Sequence, residues 1–149
     1  MRKGKKIIVR PYEPEDEGNL KKIVEAVAVQ DGLMGLERPS PKYGTTYGPH
    51  HSFVAEGESG EAIGYAAAFP VPKTDNHALH FAVHPDHRGR RISERMIRQA
   101  VAQAFSAGAT RIICTLTKHL PAGERALEKN NFRVAERDGK IVVYEKLRR

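Results

Sequence analysis

The stretch HPDHRGRRIS (84–93) packs three arginines, two histidines and a glycine into ten positions. It follows an apolar run, LHFAV (79–83), and precedes apolar residues at helical spacing. A turn from a strand into a helix exposes backbone N–H groups that have no intrahelical partner and that carry about half a unit of positive charge. A pyrophosphate fits there where the backbone can come close, and Gly89 permits that approach. Arg88, Arg90 and Arg91 add charge and directional donors. The plain alternative is a solvated basic loop. Two more histidines, His77 and His80, lie just upstream. Imidazole, with an ordinary pKa of about 6.5, makes either one a workable general base. Their spacing of three puts them on opposite faces of a regular strand, so at most one faces a given cleft.

Other chemistry-bearing residues carry less. His84 and His87, with His50 and His51, invite a zinc reading, but no cysteine or acidic residue stands at metal-site spacing with them. The expectation is no metal. Cys114 lies in the apolar run IICTL and reads as a buried, inert thiol. As a lone cysteine it fits a reducing compartment, so a cytoplasmic location is expected. Tyr43 and Tyr47, in KYGTTYGPHH, read as lining for an acceptor site or as loop packing. The charge is uneven: residues 1–83 hold ten Lys/Arg against eleven Asp/Glu, and residues 84–149 hold fifteen against seven. The basic excess begins at the Gly/Arg turn and points to an anionic partner for that half.

The elements that must position these residues follow from period and punctuation. KIIVRPYE (6–13) reads as a strand and residues 14–30 as a helix, with Leu20, Ile23, Val24 and Val27 at helical spacing and acidic residues in its first turn. Residues 31–51 have no period and read as a long loop. Residues 51–72 read as two strands about a Gly/Ser turn, and 76–83 as the next strand. Ile92, Met96, Ile97, Ala100, Val101, Ala104 and Phe105 mark a helix that ends near Gly108. RIICTLT (111–117) is a short strand, Pro121 opens a helix to about Lys129, and Asp138-Gly139 marks a closing hairpin. This is one mixed α/β domain, 1–149, with a largely antiparallel central sheet flanked by helices. The strand–helix–strand piece across 76–117 is expected to be a right-handed parallel crossover. No apolar stretch approaches the roughly 18–20 residues of a membrane span, and IIV is too short for a signal-peptide core.

FAVHPDHRGRRISERMI resembles the acetyl-CoA-binding segment of the GCN5-related N-acetyltransferase (GNAT) superfamily. That pattern is a strand ending in an aliphatic pair, then x-Pro-x-x-(Arg/Gln)-x-x-Gly-x-(Gly/Ala), then a long helix. Ala82-Val83, Pro85 and Arg88 fall in place, and element order agrees along essentially the whole chain. Two positions depart: Arg91 stands where the family has its first glycine, and Ser93 where it has the second small residue. Arg91 is tolerable there if its backbone is already helical and its side chain points outward. The resemblance implies acetyl-CoA as cofactor, held by Phe81, Ala82 and Val83 along the pantetheine arm and by Arg88, Gly89, Arg90, Arg91, Ile92 and Ser93 at the phosphates. It implies that strand 111–117 splays away to leave a V-shaped gap, and that a backbone N–H near Phe81–Val83 stabilises the developing oxyanion. Members with a Glu or His matching His77 use it as the base, so His77 is preferred and His80 comes second. The family's usual tyrosine acid is absent: its Leu-Tyr-Glu-x-x-Gly-Phe reads ALEKNNF, with Leu127 for Tyr and Asn131 for Gly. Water or another hydroxyl would serve; Tyr144 is one.

The leading expectation is an acetyl-CoA-dependent N-acetyltransferase acting on a primary amine of a small molecule. The acidic residues Glu13, Glu15, Asp16, Glu17, Asp31 and Glu37 would suit a polycation such as an aminoglycoside or polyamine, although the first four also suit a helix N-terminus. Acetylation of a protein N-terminus or lysine is the alternative, and a non-catalytic CoA-binding regulatory module a further one. A homodimer fits the resemblance; nucleic acid and membrane are not expected partners.

Overall fold

The structure is a computed structural model that describes residues 7–31, 51–87, 91–116 and 121–148, with backbone alone at 27–31 and 51. Seven strands form one sheet: β1 (Ile8–Pro11), β2 (His51–Glu56), β3 (Ala62–Pro70), β4 (Asn76–Val83), β5 (Arg111–Leu116), β6 (Arg133–Asp138) and β7 (Ile141–Leu147). Their order is β1-β2-β3-β4-β5-β7-β6, antiparallel except for β4 against β5. Parallel neighbours need a crossover connection, and α2 (Ile92–Ser106) supplies it. A 3-10 turn, Pro14–Asp16, leads into α1 (Glu17–Asp31), and α3 (Pro121–Lys129) precedes the β6–β7 hairpin. Gly139 takes φ 62°, the left-handed conformation that a two-residue hairpin turn needs at its first central position.

Alternation sorts the strand side chains into two faces. Phe53, Ala66, Leu79, Val83 and Ile112 pack with Met96, Ile97 and Ala100 of α2 in the main core. Val54, Tyr65 and Ala82 point the other way, against Leu20, Ile23 and Val24 of α1. The helical spacing in ISERMIRQAVAQAF therefore serves one face of the sheet and the spacing in α1 serves the other. At Gly64 a Cβ would lie 3.0 Å from Met96 Cε and 3.1 Å from the Ala82 carbonyl oxygen. Glycine lets α2 settle directly onto β3 beside the end of β4.

The acidic start of α1 is tied to the sheet. Arg10 donates to both carboxylate oxygens of Asp16 at 2.8 and 2.9 Å and to Glu56 Oε2 at 2.8 Å. Asp16 Oδ2 also accepts the Glu13 N–H. Burial opposes ionisation of Asp16, but the Arg10 hydrogen bond and charge outweigh it and hold the carboxyl below its ordinary pKa. At the opposite edge every residue of β6 is exposed, and its pairing with β7 shifts register between Val134 and Glu136. Among the described residues no helix is long and apolar enough to cross a membrane.

Candidate active site

The centre of the sheet holds a fork. β4 pairs with β5 only at Asn76, His77 and Ala78, opposite Arg111, Ile112 and Ile113. Beyond Ala78 the two strands share no ladder, while β4 keeps its pairing with β3 to Val83 and β5 keeps its pairing with β7 to Leu116. The open arm, Leu79–Val83, is about 16 Å long at some 3.3 Å per residue. Along it, among the described residues, the backbone groups that alternate toward β5 lie outside the β4–β5 ladder. Ala82 and Val83 are buried and Phe81 is half-buried against the main core.

The two histidines occupy different parts of this fork. β4 runs in unbroken register with β3, from Gly64 opposite Val83 to Pro70 opposite His77. Without a bulge, alternation holds along the strand. His77 shares the α2 side with Leu79 and lies in the closed stem between Pro70 and Ile112, only 9 % exposed. His80 shares the α1 side with Ala82 and stands beside the open arm, its ring edge-on to Phe69 at 5.1 Å. Burial lowers the pKa of both: that of His77 is pulled down against the opposing hydrogen bond at Asn76, and that of His80 falls to about 4. His77 has the smaller exposed surface and His80 the larger shift; the shift follows the depth of surrounding protein more than the exposed area.

Sequence reasoning missed Ser52. It is opposite Ala67, and Ala67 is opposite His80, so the three form one lateral row on the α1 face. Ser52 Oγ is buried and has no hydrogen-bond partner among the described residues. The Cα atoms of Ser52 and His80 are two strand spacings apart, about 10 Å, across a residue with only a methyl side chain. The signal was present in the sequence, as a serine among apolar residues in HSFVAE, but its register against His80 was not.

At the far end of the open arm the His84 N–H donates to the Ile63 carbonyl at 2.9 Å, and a 3-10 turn, Pro85–His87, follows. His84 Nδ1 accepts the Asp86 N–H. Arg88, Gly89 and Arg90 lie outside the described residues, as do Glu37, Tyr43, Tyr47 and His50. Arg91 precedes α2 in the left-handed conformation, φ 59°, ψ 25°, not the right-handed helical one that its sequence context allowed for. Its side chain does point outward, 72 % exposed. Ile92 is buried and Ser93 half-buried in the first turn of α2. Glu94, also missed, is buried in that turn and accepts from Arg91 Nε at 3.2 Å and Nη2 at 3.0 Å, and from Arg98 at 3.4 Å. These hydrogen bonds and charges, Arg91 foremost, hold Glu94 below the ordinary carboxylate pKa.

α3 closes the α2 side of the fork. Leu127 is fully buried in the core and Asn131 takes φ 65° just past the helix end. The Phe132 N–H returns to the Leu127 carbonyl there, a left-handed helix stop in which asparagine can replace glycine. Asn130, buried, donates its side-chain amide to the Ala126 and Glu94 carbonyls, both at 3.0 Å, and so pins α3 to the first turn of α2. Tyr144 donates to Glu124 Oε1 at 3.1 Å; burial first, then this bond, raises its pKa. Burial pushes the Cys114 thiol up to about 12, which makes it inert.

A family model described as the acetyltransferase (GNAT) family matches residues 30–132. Solved structures share the fold at low identity. A GNAT superfamily phosphinothricin acetyltransferase from Sinorhizobium meliloti, in complex with AcCoA, is 17 % identical with a TM-score of 0.79, over 95 % of this chain and 88 % of that one. The PaiA N-acetyltransferase of Thermoplasma acidophilum, in complex with coenzyme A, is 15 % identical with a TM-score of 0.74, over 97 % and 100 %. The ribosomal-protein-alanine N-acetyltransferase of Brucella melitensis is 16 % identical with a TM-score of 0.76, over 95 % and 99 %. A search of curated proteins finds no match. With the family model spanning more than two thirds of its length, the chain belongs to the GNAT acetyltransferase family.

Proposed function

We propose that this protein is an acetyl-CoA-dependent N-acetyltransferase whose acceptor is a primary amine of a small molecule, which attacks the thioester directly in a ternary complex. The observation that carries the reading is the fork: β4 loses its β5 partner after Ala78, and its open arm leads to the start of α2. Both ends suit the cofactor. The amide-bearing pantetheine arm can hydrogen-bond along a strand edge as a peptide does, and phosphates suit a helix start. Phe81, Ala82 and Val83 would hold the arm; Arg91, Ile92 and Ser93 the phosphates, with Arg88, Gly89 and Arg90 from the turn. When bound, acetyl-CoA supplies an acyl group already activated as a thioester.

The chain's own work is to seat a neutral amine and take its proton. His80 suits this better than His77, because it adjoins the open arm on the α1 side, whereas His77 is closed in the stem between β3 and β5. With its pKa lowered to about 4, His80 is neutral at pH 7 and able to accept a proton. That makes it a weak base, but the amine's proton becomes more acidic as its nitrogen bonds to carbon. Ser52, across Ala67, offers a hydroxyl to orient the amine. Leu127 has no proton to give the leaving thiolate, which takes one from water or another hydroxyl. Asp16 and Glu56 are both engaged by Arg10, which weakens the case for a polycationic acceptor. A cytoplasmic setting fits the single free thiol.

The test is thiol release from acetyl-CoA across a panel of amino acids, arylalkylamines, polyamines, aminoglycosides and peptides. Turnover with a small amine, together with a melting temperature that climbs with acetyl-CoA concentration, is the expected result. Turnover with peptides alone would transfer the reading to protein acetylation. An unmoved melting curve at saturating acetyl-CoA would remove the cofactor assignment.

A further inference from the structure

Two positions where the family pattern has glycine carry other residues here, and both have left-handed backbones: Asn131 at φ 65° and Arg91 at φ 59°. Asparagine visits that region readily, whereas most other side chains disfavour it. A strained residue that the surroundings nevertheless maintain asks for a function. The surroundings of Arg91 are specific. Its Nε edge lies on Glu94, two hydrogen bonds to two carboxylate oxygens. A guanidinium has five N–H donors, so the opposite edge remains to be used, on a side chain that is largely exposed at the start of α2.

Glu94 is built for this contact and not for capping. It is the third residue of α2, where a glutamate commonly reaches back to the backbone N–H before the helix, yet its carboxylate bonds the Arg91 side chain instead. It is buried, with a second arginine, Arg98, one turn along. Its own carbonyl is fixed by the buried Asn130 amide from α3. Asn130 thus fixes the Glu94 backbone, and the arginine its carboxylate holds by two hydrogen bonds is, among the described residues, the one with a left-handed backbone.

We infer that Glu94 is a positioning residue for the cofactor's phosphates: it fixes the Arg91 guanidinium by its Nε edge so that the free edge is presented, already ordered, to a phosphate oxygen. The inference rests on the acetyl-CoA reading above. An arginine left loose would lose rotamer freedom when it bound; one tethered beforehand loses less. The tether also neutralises the Glu94 charge, which would otherwise repel the ligand from the same helix turn.

The experiment is calorimetric titration of CoA into the wild type, Arg91→Gly, Glu94→Gln, the double variant and Arg98→Ala, each first shown to melt cooperatively. Arg91→Gly should weaken CoA about tenfold, the reach of one charge-assisted hydrogen bond, and make the affinity less sensitive to salt. Glu94→Gln should weaken it several-fold with Arg91 still present. The double variant should bind no more weakly than Arg91→Gly alone, since Glu94 helps only through Arg91. Arg98→Ala should change little, because the Arg91 contacts remain. Tighter binding by Glu94→Gln, or losses that multiply in the double variant, would overturn the inference. If the wild type itself fails to bind CoA, the cofactor reading falls and this inference with it, a result distinct from either.

Discussion

Within one strand, the stem and the open arm of β4 face different demands. In the stem, His77 and Ala78 have β3 on one side and β5 on the other, so their backbone groups are spent on the sheet. In the arm, Leu79–Val83 keep their ladder with β3 and have none with β5. His77 and His80 fall one in each region and on opposite faces. The same side chain, three residues apart, is enclosed in the stem in one place and stands beside the open arm in the other. The difference lies in where a neighbouring strand departs, not in the residue type.

The largest test of this contrast is kinetic. With the acceptor identified by the screen and held at saturation, His80→Ala should lower kcat by roughly 10²–10⁴-fold, the usual reach of general-base catalysis. The acetyl-CoA KM should scarcely change. His77→Ala should cost less than tenfold. A dead His77→Ala beside an active His80→Ala would reverse the assignment, and full activity in both would send deprotonation to another group or to solvent.

A second test uses stability. His80 has a folded pKa of about 4 against an ordinary 6.5. Between those values the unfolded chain binds the proton and the folded chain does not. Stability from this source is therefore whole above pH 6.5 and declines as pH falls toward 4, by roughly 3 kcal/mol. His77 shifts in the same direction and adds to the same limb. Urea unfolding at pH 7 and pH 4.5 should show the decline in the wild type and a clearly smaller one in His80→Phe. An equal decline in both would mean that His80 is not as enclosed as its shift implies.

The smallest effect concerns how α2 meets the arm. Gly64→Val would push against Met96, Val83 and the Ala82 carbonyl, and overpacking of this kind costs about 1–3 kcal/mol. The same change should raise the acetyl-CoA KM, because the start of α2 and the end of β4 would be forced apart. A destabilised variant with unaltered KM would show that this packing is structural alone.

Much of the fold was legible because the signals were long and local. Fifteen residues of α2 repeat apolar positions at helical spacing, and Asp138-Gly139 announces a hairpin without reference to anything distant. The fork was not legible from spacing. LHFAV and RIICTLT both read as strands, and nothing in either says that their pairing ends at Ala78 and Ile113; only the family resemblance implied a gap. That His77 and His80 face opposite ways followed from their spacing, but which face meets the gap depended on the register of β3 and on which helix covers which side. The resemblance favoured His77; the register sets His77 in the stem and His80 beside the open arm. Glu94 stayed hidden because a glutamate in a first helical turn is ordinary, and its bond to a left-handed Arg91 is a property of conformation.

The exposed last strand has a consequence for how copies of the protein meet. β6 presents an open edge along Arg133–Asp138, with Val134 left 41 % exposed, and a flat edge of that kind invites a second sheet to continue the first. The register shift between Val134 and Glu136 breaks the flatness, since a bulge bends and twists the strand that carries it. Charges at Arg133, Glu136, Arg137 and Asp138 add desolvation to the same barrier. A sheet edge guarded in this way resists continuation by the sheet of a second copy.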